Sequence, residues 1–320
     1  MTRILREADV ARVIDMDAVI EAVATSMREL GEGTAQNEPR RRAFAPGSLL
    51  NVMFATYPGG RCMGVKSYTV AAGAVRFLVT VFGLDGSLTA LIEADLMGAY
   101  RTGAASAVAA QALAPGGAGT PVTVAVIGSG HQARTQALAL SRVLTIKEMR
   151  VFGRDQKRRE AFAAERASAL GVPVVAASSA EAAVRDADVV VTITTSSEPV
   201  LSSDWVKSPS LVIGAGSNFP NRTELPADLV TRAQTVVVDQ LAVARLESGD
   251  LIQAVSSGAL AWERVNELGT VLAGGWKAPA EPGITLFESH GLALWDLAAA
   301  SVVLPRAVEQ GLGEELSLLA

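Results

Sequence analysis

Residues 122–140 read VTVAVIGSGHQARTQALAL. Val122 to Ile127 are β-branched or small apolar residues, the composition of a buried strand, and the run breaks at Gly128-Ser129-Gly130 into an Ala/Leu-rich segment of helical character. The pattern predicts strand, tight turn and helix. Gly128 permits the sharp turn, Gly130 lets a phosphate approach a backbone that carries no Cβ, and Ala133 is small enough for the helix to pack close on the strand. The unpaired N–H groups at the helix start then face an anion. This is the pattern of a dinucleotide site in an α/β domain. His131, inside the turn, reads as a helix cap or a solvent-facing residue.

The chain around this stretch is long enough, at 320 residues, for two domains. Nearly half of it is apolar and little is aromatic, which implies cores of Ala, Val and Leu. A net charge of −5, with both signs interspersed, leaves no electrostatic footprint for nucleic acid or an anionic membrane. Cys62 is the one cysteine, so neither an intramolecular disulfide nor a cysteine-built metal cluster is possible, and no metal is expected. The first residues alternate charged and apolar side chains unlike a signal peptide, and no apolar run has bilayer length, so a cytoplasmic protein is expected.

Upstream, residues 17–31 have the apolar spacing of an amphipathic helix ended by glycine. Arg40-Arg41-Arg42 read as a solvated edge. Strand-like pieces near 49–56, 64–69, 77–82 and 88–92, separated by glycine-containing turns, predict a mostly antiparallel sheet. Lys66 lies inside one of them with apolar neighbours, where it either reaches solvent or presents a partly buried cation to a ligand. Residues 95–113 read as a helix whose run of small side chains follows Arg101-Thr102, and residues 115–121, PGGAGTP, read as a domain linker.

Downstream, a second strand at 149–152 ends in Gly153-Arg154-Asp155. A carboxylate at this place takes the ribose 2′-hydroxyl of NAD, whereas an arginine suits the 2′-phosphate of NADP. Arg154 comes first, and Lys157 and Arg158 follow, so local charge favours NADPH, with NADH possible and Asp155 acting in the opposite sense. Further strands at 187–195, ending in the hydroxyls of Thr192 and Thr194, and at 211–215 and 235–239 complete a mainly parallel, doubly wound sheet over about 121–288. A final helical run at 292–304 is expected to return to the N-terminal domain. The fold class is α/β: a Rossmann-type NAD(P)-binding domain at 116–291, and an N-terminal α+β substrate and dimerisation domain, 1–115 plus 292–320, completed by the C-terminal helix.

The motifs GVKSYTV, RTGAASAVAA, VIGSGHQA, TTSSEPVL, RTEL and ESHGLALWDLAAA occur in this order over nearly the whole chain. Together they resemble the ornithine cyclodeaminase/mu-crystallin family. The resemblance implies a homodimer, a small imino or amino acid as substrate, and a cationic grip on its carboxylate by Lys66, Arg101 and one of Arg40 to Arg42. Arg42 is favoured for its spacing before Ala-Phe-Ala-Pro. It also implies cofactor contacts from Thr102, Gly128, Gly130, His131, Gln132, Ala133, Arg154, Thr192, Thr194 and Ser289. Where cyclodeaminases carry an aspartate ahead of Arg/Lys-Thr-Glu-Leu, this chain has Asn218, and an amide cannot act as a general base. That puts ammonia-eliminating cyclisation in doubt and leaves Asn218 able to hydrogen-bond an imine. Lys66 and His290 are candidate proton donors. The expectation is an NAD(P)H-dependent reductase of α-imino acids such as Δ1-pyrroline-2-carboxylate. The alternatives are an ornithine cyclodeaminase, an alanine dehydrogenase-type enzyme, or a crystallin-like NADPH binder without turnover.

Overall fold

The computed structural model describes residues 1–117 and 119–318. The chain divides into two compact units, Met1–Thr102 with the segment from Leu292 onward, and Gly103–Gly291. In the first unit, β1 (Thr2–Leu5) is followed by helices Glu7–Val13 and Met16–Gly31. Five strands follow: β2 (Gln36–Ala45), β3 (Ser48–Tyr57), β4 (Cys62–Ala71), β5 (Ala74–Gly83) and β6 (Leu88–Glu93). Consecutive members of β2 to β6 pair antiparallel, and β1 adds in parallel beside β6. Side chains alternate between faces along each strand. One face buries Met53, Ala55, Val79, Val81, Ala90 and Ile92, while Phe54 and Leu78 on the other remain exposed.

The second unit holds β7 (Pro121–Ile127), β8 (Thr145–Phe152), β9 (Val174–Ala176), β10 (Val189–Thr192), β11 (Ser210–Gly214), β12 (Thr235–Val238), β13 (Val265–Glu267) and β14 (Ile284–Glu288). They form one parallel sheet in the order β13-β12-β14-β11-β10-β7-β8-β9. The central strands are apolar throughout because helices cover both faces. Strand order reverses between β7 and β10, which opens a crevice at their carboxyl ends. After β14 the chain rejoins the first unit as helix Ala293–Glu309 and β15 (Glu314–Leu316), which pairs antiparallel with β1. The helix packs on Met16–Gly31 and on the buried face of β2 to β5.

Several elements differ from the sequence expectation. The Arg40–Arg42 triplet lies within β2, the edge strand of its sheet, whose register with β3 shifts between Glu38 and Arg41; Arg41 is exposed as a solvated edge requires, but Arg40 is buried. The last helix does not stop at 304 but runs through Pro305 to Glu309. Proline removes one donor there, and the buried residues Val303 and Ala307 hold the helix on both sides of it. The unit boundary falls inside helix Asp95–Leu113, between Thr102 and Gly103, instead of at 115. At that boundary the helix approaches helix His131–Val143 closely: a Cβ on Gly103 would sit 2.4 Å from the Thr135 carbonyl oxygen. Ala118, in the expected linker, lies outside the described residues.

Close approach also fixes Gly64 on β4. A Cβ there would lie 2.3 Å from the Thr80 carbonyl oxygen and 2.8 Å from Leu297 Cδ2. Gly64→Ala is therefore expected to destabilise the fold by about 1–3 kcal/mol through overpacking, measured as a lower denaturation midpoint with an unchanged slope.

Candidate functional site

The two units each contain a polar centre. In the first, Lys66 occupies the buried face of β4, opposite Met53 on β3 and Val79 on β5. Only 2 % of it is exposed, and its Nζ donates to Oδ1 of Asp296 at 2.6 Å. Arg101, from helix Asp95–Leu113, donates to the same oxygen through Nε at 3.3 Å. Asp296 is fully buried, and its Oδ2 has no hydrogen-bond partner among the described residues. Aromatic faces flank both cations, with Lys66 Nζ 5.1 Å from the Phe77 ring centroid and the Arg101 guanidinium 5.7 Å from that of Trp295. Burial pushes the Lys66 pKa down to about 8, helped by the positive charges of Arg101 and Arg40 and opposed by Asp296. The direction follows the crowding by arginines read from the sequence, but desolvation is the larger cause. A lysine so placed is charged at neutral pH and still close to releasing its proton.

Arg40 is the arginine of the triplet that is buried with its charge acting on Lys66. Arg42, favoured on spacing, is half-buried and stands opposite Asn51, further along β2 from the Lys66 rung. The register shift after Glu38 is what moves the assignment, because counting along the sequence assumes an unbroken strand. Asp296 escaped the sequence reading altogether. Its signal was present as one carboxylate in the otherwise apolar run Leu292–Ala300.

In the second unit a cleft of about 560 Å³ opens at the carboxyl ends of β7, β8 and β10. Gly128 has φ +124, and a Cβ on it would lie 2.3 Å from the Ile193 carbonyl oxygen, so only glycine makes this turn. Gly130, the N-cap of helix His131–Val143, faces open space within 4 Å where a Cβ would project. Ala133 is buried under the helix start and His131 is exposed. This cradle suits the diphosphate of a dinucleotide. Arg154 and Arg158 line the cleft. Asp155 lines it as well, but its carboxylate accepts the backbone N–H of Arg158 at 3.0 Å and caps helix Gln156–Leu170.

Other expected cofactor residues fare differently. Thr194 lines the cleft, whereas Thr192 is fully buried and its hydroxyl donates to Glu224 at 3.2 Å. Gln132 lies in the first turn of helix His131–Val143. Ser289 is buried, with its backbone N–H on the Gly214 carbonyl. Thr102 belongs to the first unit and donates its hydroxyl to the Gly98 carbonyl at 2.8 Å.

Beneath the strand ends runs a buried carboxylate network that the sequence reading also missed. Glu224 accepts from the Thr194 backbone and hydroxyl at 2.7 and 2.6 Å and from the Gly216 N–H at 2.7 Å, tying the loops after β10 and β11 together. Asp250 accepts the N–H groups of Glu224 and Leu225. Burial raises the carboxyls of Glu224, Asp250 and Glu288 above the usual range. The half-buried Asn218 sits in the loop whose base Glu224 holds. His290 is buried, with Nδ1 3.3 Å from Asp239 Oδ1 and Nε2 3.6 Å from Glu288 Oε2. Burial opposes its charged form, but bonding and attraction to Asp239 and Glu288 prevail and push its pKa up to about 10. An imidazolium held this firmly balances charge and is a poor acid at neutral pH.

Because the folded pKa of His290 lies above its ordinary 6.5, the stability it contributes is complete below about 6.5 and is lost as pH rises through about 10. The melting temperature is expected to fall by several degrees between pH 7 and 10, and His290→Gln is expected to flatten that slope in differential scanning calorimetry.

The chain is 35% identical over 319 residues to a Δ1-pyrroline-2-carboxylate reductase of Bacillus cereus, covering 95% of this chain and 96% of that protein. It is 28% identical over 329 residues to the iminosuccinate reductase of Paracoccus denitrificans, covering 98% and 99%. The structure of Thermococcus litoralis Δ1-pyrroline-2-carboxylate reductase in complex with NADH and L-proline superposes with a TM-score of 0.91 at 28% identity, covering 98% of this chain and all of that one. The family model of the ornithine cyclodeaminase/mu-crystallin family matches residues 1–311, and the chain belongs to that family.

Proposed function

We propose that this protein is an NAD(P)-dependent reductase of α-imino acids, converting their C=N bond to the CH–NH of an amino acid. The observation that carries the reading is the buried pair Lys66 and Arg101 organised on Asp296, in a chain that also has a dinucleotide cleft. Two cations fixed on one carboxylate form a preorganised donor pair for a second, the α-carboxylate of the substrate. Similarity to reductases of both a cyclic and a linear imino acid supports the class.

A bound reduced nicotinamide supplies the hydride that the imine carbon receives. The chain's own residues prepare that carbon. Arg101 and Arg40 hold the carboxylate, and their charge makes the neighbouring C=N more electrophilic. Lys66, with its pKa near 8, gives a proton to the imine nitrogen, so that hydride and proton together saturate the bond. Asn218, an amide, cannot serve as the base that an amine elimination requires, which disfavours the cyclodeaminase reading. His290 acts as the counter-charge of Asp239 and Glu288.

The cofactor preference we assign is NADPH, with NADH used less well. Arg154 and Arg158 line the cleft, and the one carboxylate beside them is engaged as a helix cap. We also assign a homodimer. The sheet of the first unit leaves Phe54, Leu78 and Leu50 exposed on one face, the kind of surface that a second copy covers.

Oxidation of NADPH on mixing with Δ1-pyrroline-2-carboxylate, followed by its near-ultraviolet absorbance, tests the reading. Tight NADPH binding without turnover, or proline and ammonia from ornithine, would overturn it. Lys66→Met is expected to lower kcat/KM by about a hundredfold or more and to abolish the fall in rate above pH 8. Arg154→Ala is expected to raise the KM for NADPH at least about tenfold while moving that for NADH little.

A further inference from the structure

Asn51 stands out among the buried polar groups. It is fully buried on β3, and neither its amide nitrogen nor its carbonyl oxygen has a hydrogen-bond partner among the described residues. Buried amides are almost always satisfied, and leucine, of nearly the same shape, would fill a purely structural position without loss. Its place in the sheet points to a ligand. Asn51 lies two residues from Met53, which pairs with Lys66, so it shares the face that carries the carboxylate grip. It pairs across the sheet with Arg42 on β2 and with Tyr68 on β4. Lys66 itself is closed from solvent to the same degree, so burial does not separate Asn51 from the substrate site.

Resting on the imino acid reading, we infer that Asn51 is a specificity residue that hydrogen-bonds a polar group on the substrate side chain, and that the substrate class is dicarboxylic α-imino acids. A hydrocarbon ring would leave both amide atoms unsatisfied, whereas a side-chain carboxylate accepts from the amide N–H and from a guanidinium directly opposite it. The α-carboxylate goes to Lys66 and Arg101, one rung along the sheet and across it, a separation that fits a short dicarboxylate with one end at each pair. Tyr68, its ring 5.0 Å from that of Phe77, walls the far side of the same rung.

The test compares the full-length wild type with Asn51→Leu, Asn51→Ser and Asn51→Asp. Two substrates are used with NADPH: the four-carbon imine formed from oxaloacetate and ammonium, and Δ1-pyrroline-2-carboxylate. Binding of L-aspartate and L-proline to each variant with NADP⁺ is measured in parallel by calorimetry, which also reports folding. The wild type is expected to favour the dicarboxylic imine, and Asn51→Leu to lower that preference by about tenfold or more, carried by KM, with aspartate binding weakened more than proline binding. Asn51→Ser is expected to lose less than Asn51→Leu, and Asn51→Asp to reject the dicarboxylate through like charge. Equal losses on both substrates would place Asn51 in the α-carboxylate grip and overturn the class assignment, and so would a wild type that favours the ring. No turnover of either imine by the wild type would instead bring down the imino acid reading itself.

Discussion

One carboxylate oxygen, Oδ1 of Asp296, accepts from both Lys66 and Arg101 in a place that water does not reach. Two like charges this close repel, burial penalises each of them, and the carboxylate offsets both effects. Asp296 reaches the site on a helix almost wholly buried, seated against a strand that Gly64 leaves bare enough for Leu297 to touch. The position of the cations is therefore a packing result as much as an electrostatic one. Removing the carboxylate would strand two charges, and removing the glycine would push their anchor away.

The second unit uses charge in the opposite sense. Acidic groups are concentrated beneath the strand ends, and backbone N–H groups and one imidazolium offset them. Glu224 spends its oxygens on the Thr194 and Gly216 N–H groups and the Thr194 hydroxyl, holding the loops after β10 and β11 at a fixed separation. Glu224 is thus a positioning group, while the Gly130 edge is left open.

The parallel sheet and the phosphate turn were legible because both leave local marks: apolar runs of strand length, a glycine at a φ that other residues avoid, and a helix directly behind it. The antiparallel sheet was legible in four of its strands by alternation. β1, β2 and β15 were not: β1 and β15 are short elements defined by pairing with residues far along the chain, and β2 carries the arginine triplet and a register shift. Lys66 and Arg101 could be named from motifs, but their shared partner lies 195 residues beyond Arg101 and local pattern carries no trace of that pairing. Spacing favoured Arg42 over Arg40, but a bulge, invisible in the sequence, sets which arginine stands level with the Lys66 rung. Thr192 and Thr194 look alike in sequence, and only the orientation of a strand end separates a hydroxyl given to Glu224 alone from one that also lines the cleft.

The order of the two units along the chain has a kinetic side. Everything from Gly103 to Gly291 is synthesised between the first unit's opening strands and the helix that closes it. During translation the inserted unit has all its strands in hand and can fold first, while the earlier sheet waits with its apolar face unclosed and Lys66 and Arg101 lacking their counter-ion. Assembly of the Lys66–Arg101–Asp296 cluster is thereby deferred until the segment after Gly291 has been made. In the interval the nascent sheet is the part of the molecule most in need of a chaperone.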